Sequence, residues 1–256
     1  MKEAILEDIS TIDLSKKVSV KDPIDYNGCM MLKKSTPARI CIGRSGTRYR
    51  TNDYLRLRAD HAVAIDAVWS YVDESIVDDL SFFKVQTLAQ DKEEYITRPD
   101  LGRKFSKEVI DDIKEKCIGN IDVQIIAGDG LSSPAITSNL KDIYPMIVEG
   151  VKAKGYTIGT PIFVKYARVA TMDKISEALN AKVTLILIGE RPGLATSESM
   201  SCYMAYEAST KKPESQRTVI SNIHKNGMPP VEAGAQIVQL IEILMKEKKS
   251  GIDLRL

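Results

Sequence analysis

The chain has 256 residues, 43% apolar and 28% charged, with 36 Lys and Arg against 35 Asp and Glu for a net charge of +1. These values exclude a largely disordered chain and a globally basic nucleic-acid coat, and they allow one large domain or two small ones. No apolar run reaches the roughly 18 residues of a membrane span, and no basic segment leads into an apolar core, so the expectation is a non-exported protein outside the membrane.

Residues 1–28 read as a weakly amphipathic lead, with Ala4, Ile5, Leu6, Ile9, Ile12 and Leu14 in a rough helical stripe. Residues 33–58 hold eight basic side chains and one acid, Asp53, balanced by acidic stretches at 73–79 and 91–94. Within them, residues 43–51 alternate Arg with Gly and small residues, the pattern of an extended or looped arm. Arg bonds planar anions bidentately, so such an arm suits phosphate, carboxylate or an acidic partner; a solvated face is the plainer meaning of a charge run. Thr51, Asn52 and Asp53 open a helix whose buried face is expected at Leu55, Ala59, Ala62, Ile65 and Trp69. A polar region containing Phe82, Phe83 and Val85 ends at the turn signal of residues 98–103, and residues 104–117 read as a helix.

From residue 122 the pattern changes. Residues 122–127 form an apolar strand, and residues 128–134 turn into a helix with Ser133 as cap and Pro134 as first residue. Ile136, Leu140, Ile143, Ile147 and Val151 mark its apolar face, Pro145 should bend or interrupt it, and Gly155 should end it. Residues 160–168 read as a strand, 173–180 as a short helix, 182–188 as a strand and 202–206 as a further strand. Pro229 and Pro230 start the last helix, with Val231, Ala235, Val238, Ile241 and Met245 expected inward and Gly251 as its stop. Alternating strands and helices predict an α/β fold, a Rossmann-like, mainly parallel sheet with a helical N-terminal region. The expected segments are a lead at 1–30, a mainly helical region at 31–118 and a Rossmann-like domain at 119–256.

In an open parallel sheet, ligands bind beyond the carboxyl ends of the strands. Three segments qualify. Residues 128–133 bring small residues and a helix start to a strand end, which suits an anion, although Ser133 breaks the dinucleotide-binding glycine pattern; an ordinary capped turn is the alternative. Glu190 and Arg191 leave a very apolar strand within a Gly-Pro-Gly frame, where Glu190 can accept hydrogen bonds from amides and Arg191 can hold an anion. A surface ion pair is the alternative there. Arg168 and Val169 end the middle strand and could meet a ligand, with ordinary packing as the alternative. Four Cys without a C-x-x-C pair and two His, His61 and His224, form no metal-ligand pattern, and Cys202 reads as a core residue. Ser132 has no defined His partner, so no Ser-His-Asp arrangement stands out. The chain reads as a binder of a large cofactor or partner more than as a self-contained enzyme.

Six motifs then occur in order: Gly43-Arg44-Ser45-Gly46-Thr47-Arg48-Tyr49-Arg50-Thr51, Arg58-Ala59-Asp60-His61-Ala62, Arg98-Pro99-Asp100-Leu101-Gly102-Arg103, Asp129-Gly130-Leu131-Ser132, Gly189-Glu190-Arg191-Pro192-Gly193-Leu194 and Ile220-Ser221-Asn222-Ile223. Together, over residues 30–256, the chain resembles the small (light) subunits of ethanolamine ammonia-lyases. It departs from them at Tyr49, where Pro is common, and at Val219, where Cys can occur. The resemblance implies a subunit, inactive alone, of an adenosylcobalamin (coenzyme B12) enzyme that converts ethanolamine to acetaldehyde and ammonia by a radical mechanism. It implies that a large subunit binds ethanolamine, that no catalytic residue or metal ligand lies in this chain, and that the cobalamin sits at the subunit interface. By motif, cobalamin contacts fall on Val169, Glu190 and Val219, with Arg168 as a further candidate for the nucleotide tail and its phosphate. Glu190 would accept from the cofactor's peripheral amides, and at Val219 a backbone contact would survive the loss of a Cys. The Arg-rich arm then becomes a surface for the large subunit, and the implied location is the cytoplasm, inside a bacterial microcompartment. No nucleic acid or membrane partner is implied. Two other readings remain open: a stand-alone α/β module that binds nucleotide or RNA through the arm, and a small hydrolase using Ser132.

Overall fold

The chain folds as two units in a computed structural model that describes residues 9, 12–36 and 38–254. The first unit runs to Asp66 and includes Gly193–Thr196; the second holds Ala67–Pro192 and the residues from Ser197 onward. Ala4, Ile5 and Leu6 of the expected lead lie outside the described residues.

In the first unit, α1 (Tyr26–Ser35) starts at Asp25, whose carboxylate accepts from the Gly28 N–H at 2.8 Å. The alternating Arg segment forms a tight antiparallel hairpin of β1 (Arg44–Ser45) and β2 (Arg48–Tyr49), with Gly46 supplying the positive φ of the turn. The helix α2 (Thr51–Trp69) follows directly, its residues from Ala67 onward belonging to the second unit. Its inward side is built on a charge. Asp60 is buried and held by Arg39 at 2.5 Å and Arg56 at 2.8 Å. Asp60, Ala64 and Ala67 are buried, whereas Leu55, Ile65 and Trp69 remain 48%, 50% and 49% exposed and Ala62 is exposed too. The face expected to be buried is therefore turned outward. Apolar spacing cannot register a carboxylate clasped by two guanidinium groups, and that clasp decides which side of α2 faces in.

The second unit contains, in order, α3 (Glu74–Asp79), β3 (Phe83–Gln86), α4 (Lys92–Thr97), α5 (Lys107–Lys116), β4 (Val123–Gly128), α6 (Ser133–Ala153), β5 (Ile162–Lys165), α7 (Thr171–Leu179), β6 (Val183–Gly189), β7 (Met200–Tyr206), β8 (Thr218–Ile223) and α8 (Pro230–Glu247). Six strands make one sheet in the order β3-β5-β4-β6-β7-β8. β3, β5, β4 and β6 are parallel, while β7 and β8 are antiparallel additions. The fold is thus α/β with a mixed sheet, parallel in its first four strands. The residues 83–86 and 218–223 were not expected as strands; both are short, flank the sheet and carry exposed side chains.

Side chains alternate across the pleat. Ile125, Ala127, Leu185 and Leu187 pack on one face with Ile136, Leu140, Ile143 and Ile147 of α6 and Ile237, Ile241 and Leu244 of α8. Ile126, Ile186, Ile188, Ile162 and Val164 pack on the other with Ile113 of α5 and Met172, Ile175 and Leu179 of α7. Burial on both faces explains why β4 and β6 read as continuous apolar runs. Local details differ from expectation. Ser132, not Ser133, caps α6, and α6 runs through Pro145 without interruption. Gly155 does follow its end, at φ +79. On α8, Val231 and Ala235 face solvent, while Ala233, Gly234, Ile237 and Val238 are buried, Gly234 and Val238 against α6. Lys248 in the left-handed conformation, rather than Gly251, caps its end.

Candidate functional site

The crevice of an open sheet lies where successive connections leave on opposite faces. β4 sits between β5 and β6, and the helices that connect them, α6 and α7, pack on opposite faces. The carboxyl ends of these three strands carry the three candidate segments.

The first segment is spent on structure. In residues 128–133 the Asp129 N–H donates to the Val164 carbonyl at 2.9 Å and the Leu131 N–H to the Gly189 carbonyl at 3.1 Å. Ser132 is fully buried; its hydroxyl donates to the Ser197 carbonyl and accepts from the Ala135 N–H at 3.2 Å. It is a helix cap and not an available nucleophile, which removes the hydrolase reading. Gly189 is obligatory because a Cβ there would collide with the Ser132 carbonyl.

Beneath this turn lies a buried charge cluster that the sequence did not disclose. Lys92 Nζ lies 3.5 Å from Asp129 Oδ1 and donates to Ser133 Oγ at 3.4 Å. The Ser133 hydroxyl lies 2.6 Å from Asp129 Oδ1 and 2.7 Å from the Ser70 carbonyl, and donates to one of them at a time. The ammonium also faces the rings of Tyr71, Tyr95 and Tyr166 at 5.3, 5.6 and 5.8 Å. Burial pushes the Lys92 pKa down and the Asp129 pKa up, each opposed by the attraction of the other.

That cluster supports the loop after β5. Tyr166 adopts the left-handed conformation at φ +58, which non-glycine residues rarely hold. Its carbonyl accepts from Thr87 Oγ1 at 3.0 Å, and the Ala167 carbonyl accepts from the Tyr95 hydroxyl at 2.8 Å. The Arg168 guanidinium stacks on the Tyr95 ring at 4.3 Å, and its Nη2 donates to the Tyr95 carbonyl at 3.0 Å. Arg168 Nε is buried and has no hydrogen-bond partner among the described residues. The backbone N–H of Arg168 donates to the Gly102 carbonyl at 2.8 Å.

Arg168 and Val169 open onto a cavity of about 250 Å³, lined further by Arg103, Ala170, Tyr203, Glu214 and Arg217. Arg217 pairs with Asp173 at 2.6 Å and with Glu214 at 3.5 Å. Burial raises the Asp173 pKa despite that partner. Glu190, at the end of β6, accepts from the Tyr203 hydroxyl at 2.8 Å through one carboxylate oxygen. Val219 on β8 stands directly opposite Tyr203 on β7 and is 46% exposed. Val169, Glu190 and Val219 therefore meet around one side chain, Tyr203. Arg168 lines the same cavity, while Arg191 is exposed. Tyr203 was missed because residues 202–206 read simply as an apolar strand. The available signal was alternation, which puts Cys202 and Met204 in the core and Tyr203 on the opposite face.

The Arg-rich segment is partly committed. Arg39 and Arg56 hold Asp60, Arg44 lies 4.6 Å from the Tyr49 ring centre, and Arg50 Nη1 donates to the Ser19 carbonyl at 3.3 Å. Arg48 and Arg58 are exposed and make no ion pair among the described residues. No group of three or more metal-ligating side chains occurs among the described residues, and no described helix is long and apolar enough to cross a membrane.

Comparison with known proteins gives the family. Residues 26–255 match the family model of the ethanolamine ammonia-lyase light chain (EutC). The chain is 72% identical over 225 residues to the ethanolamine ammonia-lyase small subunit of Clostridium acetobutylicum, covering 88% of this chain and 93% of that one. It is 50% identical over 253 residues to the small subunit of Listeria monocytogenes, covering 99% and 86%. It is 52% identical over 252 residues to that of Clostridioides difficile, covering 98% and 86%.

Proposed function

The chain belongs to the ethanolamine ammonia-lyase light-chain family, and from that premise we propose that it binds one side of adenosylcobalamin at an interface with a large catalytic subunit. The observation that carries the proposal is the convergence of Val169, Glu190 and Val219 on Tyr203 beside an Arg-lined cavity. The residues fit the group. Cobalamin has a rim of amides and a phosphate in its nucleotide tail; the Glu190 carboxylate suits the amides, and Arg168, Arg103 and Arg217 around the cavity suit the phosphate. A cavity of about 250 Å³ encloses only an edge of so large a molecule, so a second protein surface must cover the rest.

When bound, the cofactor supplies radical chemistry for converting ethanolamine to acetaldehyde and ammonia. This chain's residues orient and shield. Glu190 fixes the amide rim, Val169 and Val219 exclude water from the contact, and Arg168 is braced by Tyr95 before any ligand arrives. Ethanolamine is handled by the large subunit, and the chain alone is inactive. The region 119–256 is the cobalamin-binding part, a Rossmann-like arrangement in this reading. The exposed Arg48 faces the large subunit. The same reading extends to a cytoplasmic location within a bacterial microcompartment.

The test is co-expression with the large subunit of an ethanolamine ammonia-lyase. The expected result is a co-purifying complex that binds cobalamin, seen in its visible spectrum, and releases acetaldehyde from ethanolamine. Equal cobalamin binding and turnover by the large subunit without this chain would refute the proposal. Arg48→Glu with Arg50→Glu should weaken co-purification; unchanged recovery of the complex would remove the arm from the interface.

A further inference from the structure

We infer that Tyr203 is the positioning residue of this site: it fixes one oxygen of Glu190 so that the other is presented to the cofactor's amide rim. The inference rests on the cobalamin reading above and adds to it a residue that none of the matching motifs contains.

Three observations support it. Along β6 the side chains of Ile186, Ile188 and Glu190 fall on one side of the pleat, and Ile186 pairs with Tyr203 in the antiparallel register. Tyr203 in turn pairs with Val219 on β8. The tyrosine thus occupies the middle of a three-strand row, Ile186-Tyr203-Val219, with Glu190 two pleats beyond the first member. Its hydroxyl reaches Glu190 Oε1 at 2.8 Å, and no other hydrogen bond to the Glu190 side chain occurs among the described residues. Oε2 is left for a ligand. Finally, Tyr203 lines the cavity shared by Arg168 and Val169, so its ring is the wall between the loop after β5 and the edge strand β8.

A free glutamate at a strand end would sample several rotamers, and a ligand would bear the entropy of fixing it. A phenol donor at hydrogen-bond distance removes that cost in advance. The donor is permanent: burial, and then the bond to Glu190, push the Tyr203 pKa up to about 12. The proton therefore stays on the phenol through the neutral range, and Glu190 remains the acceptor. Phe at this position would keep the ring wall and the packing, but release the carboxylate.

The experiment uses the assembled complex of this chain with a large subunit, freed of cofactor and titrated with cyanocobalamin. Wild type is compared with Tyr203→Phe, Glu190→Gln and the double variant. Tyr203→Phe should weaken cyanocobalamin binding by roughly 5- to 10-fold, as expected when the ligand must bear the entropy of fixing one long side chain. In the Glu190→Gln background the same change should cost less than about 2-fold, because the group being positioned has lost its charge. Co-purification and thermal midpoint should stay near wild type. Wild-type affinity of Tyr203→Phe, or an equal loss in both backgrounds, would overturn the positioning role. Should Tyr203→Phe assemble poorly, the extra loss between Glu190→Gln and Glu190→Ala in wild-type Tyr203 decides instead, since a tyrosine that holds an acceptor must distinguish the two. If Glu190→Ala binds cyanocobalamin as wild type does, the site itself, and not only the role of Tyr203, fails.

Discussion

Replacing Lys92 by Met strands a carboxylate. Lys92 and Asp129 are 2% and 1% exposed, and the ammonium lies 3.5 Å from Asp129 Oδ1. At an effective dielectric near 20, that separation corresponds to about 5 kcal/mol of attraction, much of it offset by the cost of burying both ions. Removing one partner keeps the burial cost of the other and loses the attraction. The expected loss is about 3–5 kcal/mol, or a melting point lower by roughly 6–20 °C for a chain of this size. Asp129→Asn should cost a similar amount, because it leaves the ammonium against three rings without a counter-charge. The double variant Lys92→Met with Asp129→Asn should recover to within about 1–2 kcal/mol of wild type, since Ser133 can still bond the amide. Urea unfolding of the full chain followed by circular dichroism measures all four. The sign with pH is also set. The folded Asp129 pKa lies above its ordinary value, so between that value and the raised one the folded state holds the extra proton, and stability falls as pH rises through the window. Without Lys92 the window widens upward, so the deficit of the single variant should shrink on acidification. A Lys92→Met chain within about 1 kcal/mol of wild type at neutral pH, or a double variant as unstable as the sum of the two, would refute the reasoning.

Three further outcomes are expected. Ile65→Ser should change stability by no more than about 0.5 kcal/mol in urea unfolding of the chain, because Ile65 is half exposed on α2; a loss of about 2 kcal/mol or more would mean that the face is buried. Gly189→Ala should lower the melting point by several degrees, since its methyl group would collide with the Ser132 carbonyl; an unchanged melting point would show that the turn can give way. Burial lowers the His224 pKa, so acidification protonates the unfolded chain first and stability is lost as pH falls below about 6.5 toward the depressed folded value. His224→Asn should flatten that part of the pH–stability curve, and an identical slope in the variant would dismiss the residue as its source.

Much of the second unit was legible because parallel strands buried on both faces are short apolar runs, and β4, β5 and β6 carry that mark. β3 and β8 were not. Each is exposed along part of its length, and pairing with one neighbour is a tertiary fact with no strong local signature. α2 was legible as a helix, yet its orientation was not. The deciding contact joins Asp60 to Arg39 and Arg56, two arginines 21 residues and 4 residues away, and apolar periodicity ignores both. The candidate site shows the same division. Glu190, Arg168 and Val169 were accessible as strand-end residues, and Val219 only through family resemblance. Tyr203 and Lys92 were accessible through neither, because their importance lies in cross-strand register and in a buried counter-charge.

The antiparallel edge also bears on the order in which the chain is made. A ribosome releases the N-terminal part first, and domains begin to fold as they emerge. The parallel core of β3 to β6 is complete once residue 189 is free, with Val169 already placed, but the wall formed by Tyr203 and Val219 arrives only with β7 and β8. A chain stopped after β6 therefore carries four of the six strands and lacks the Tyr203–Val219 pair. Any contact that needs Tyr203 and Val219 together is open only to chains translated past residue 223.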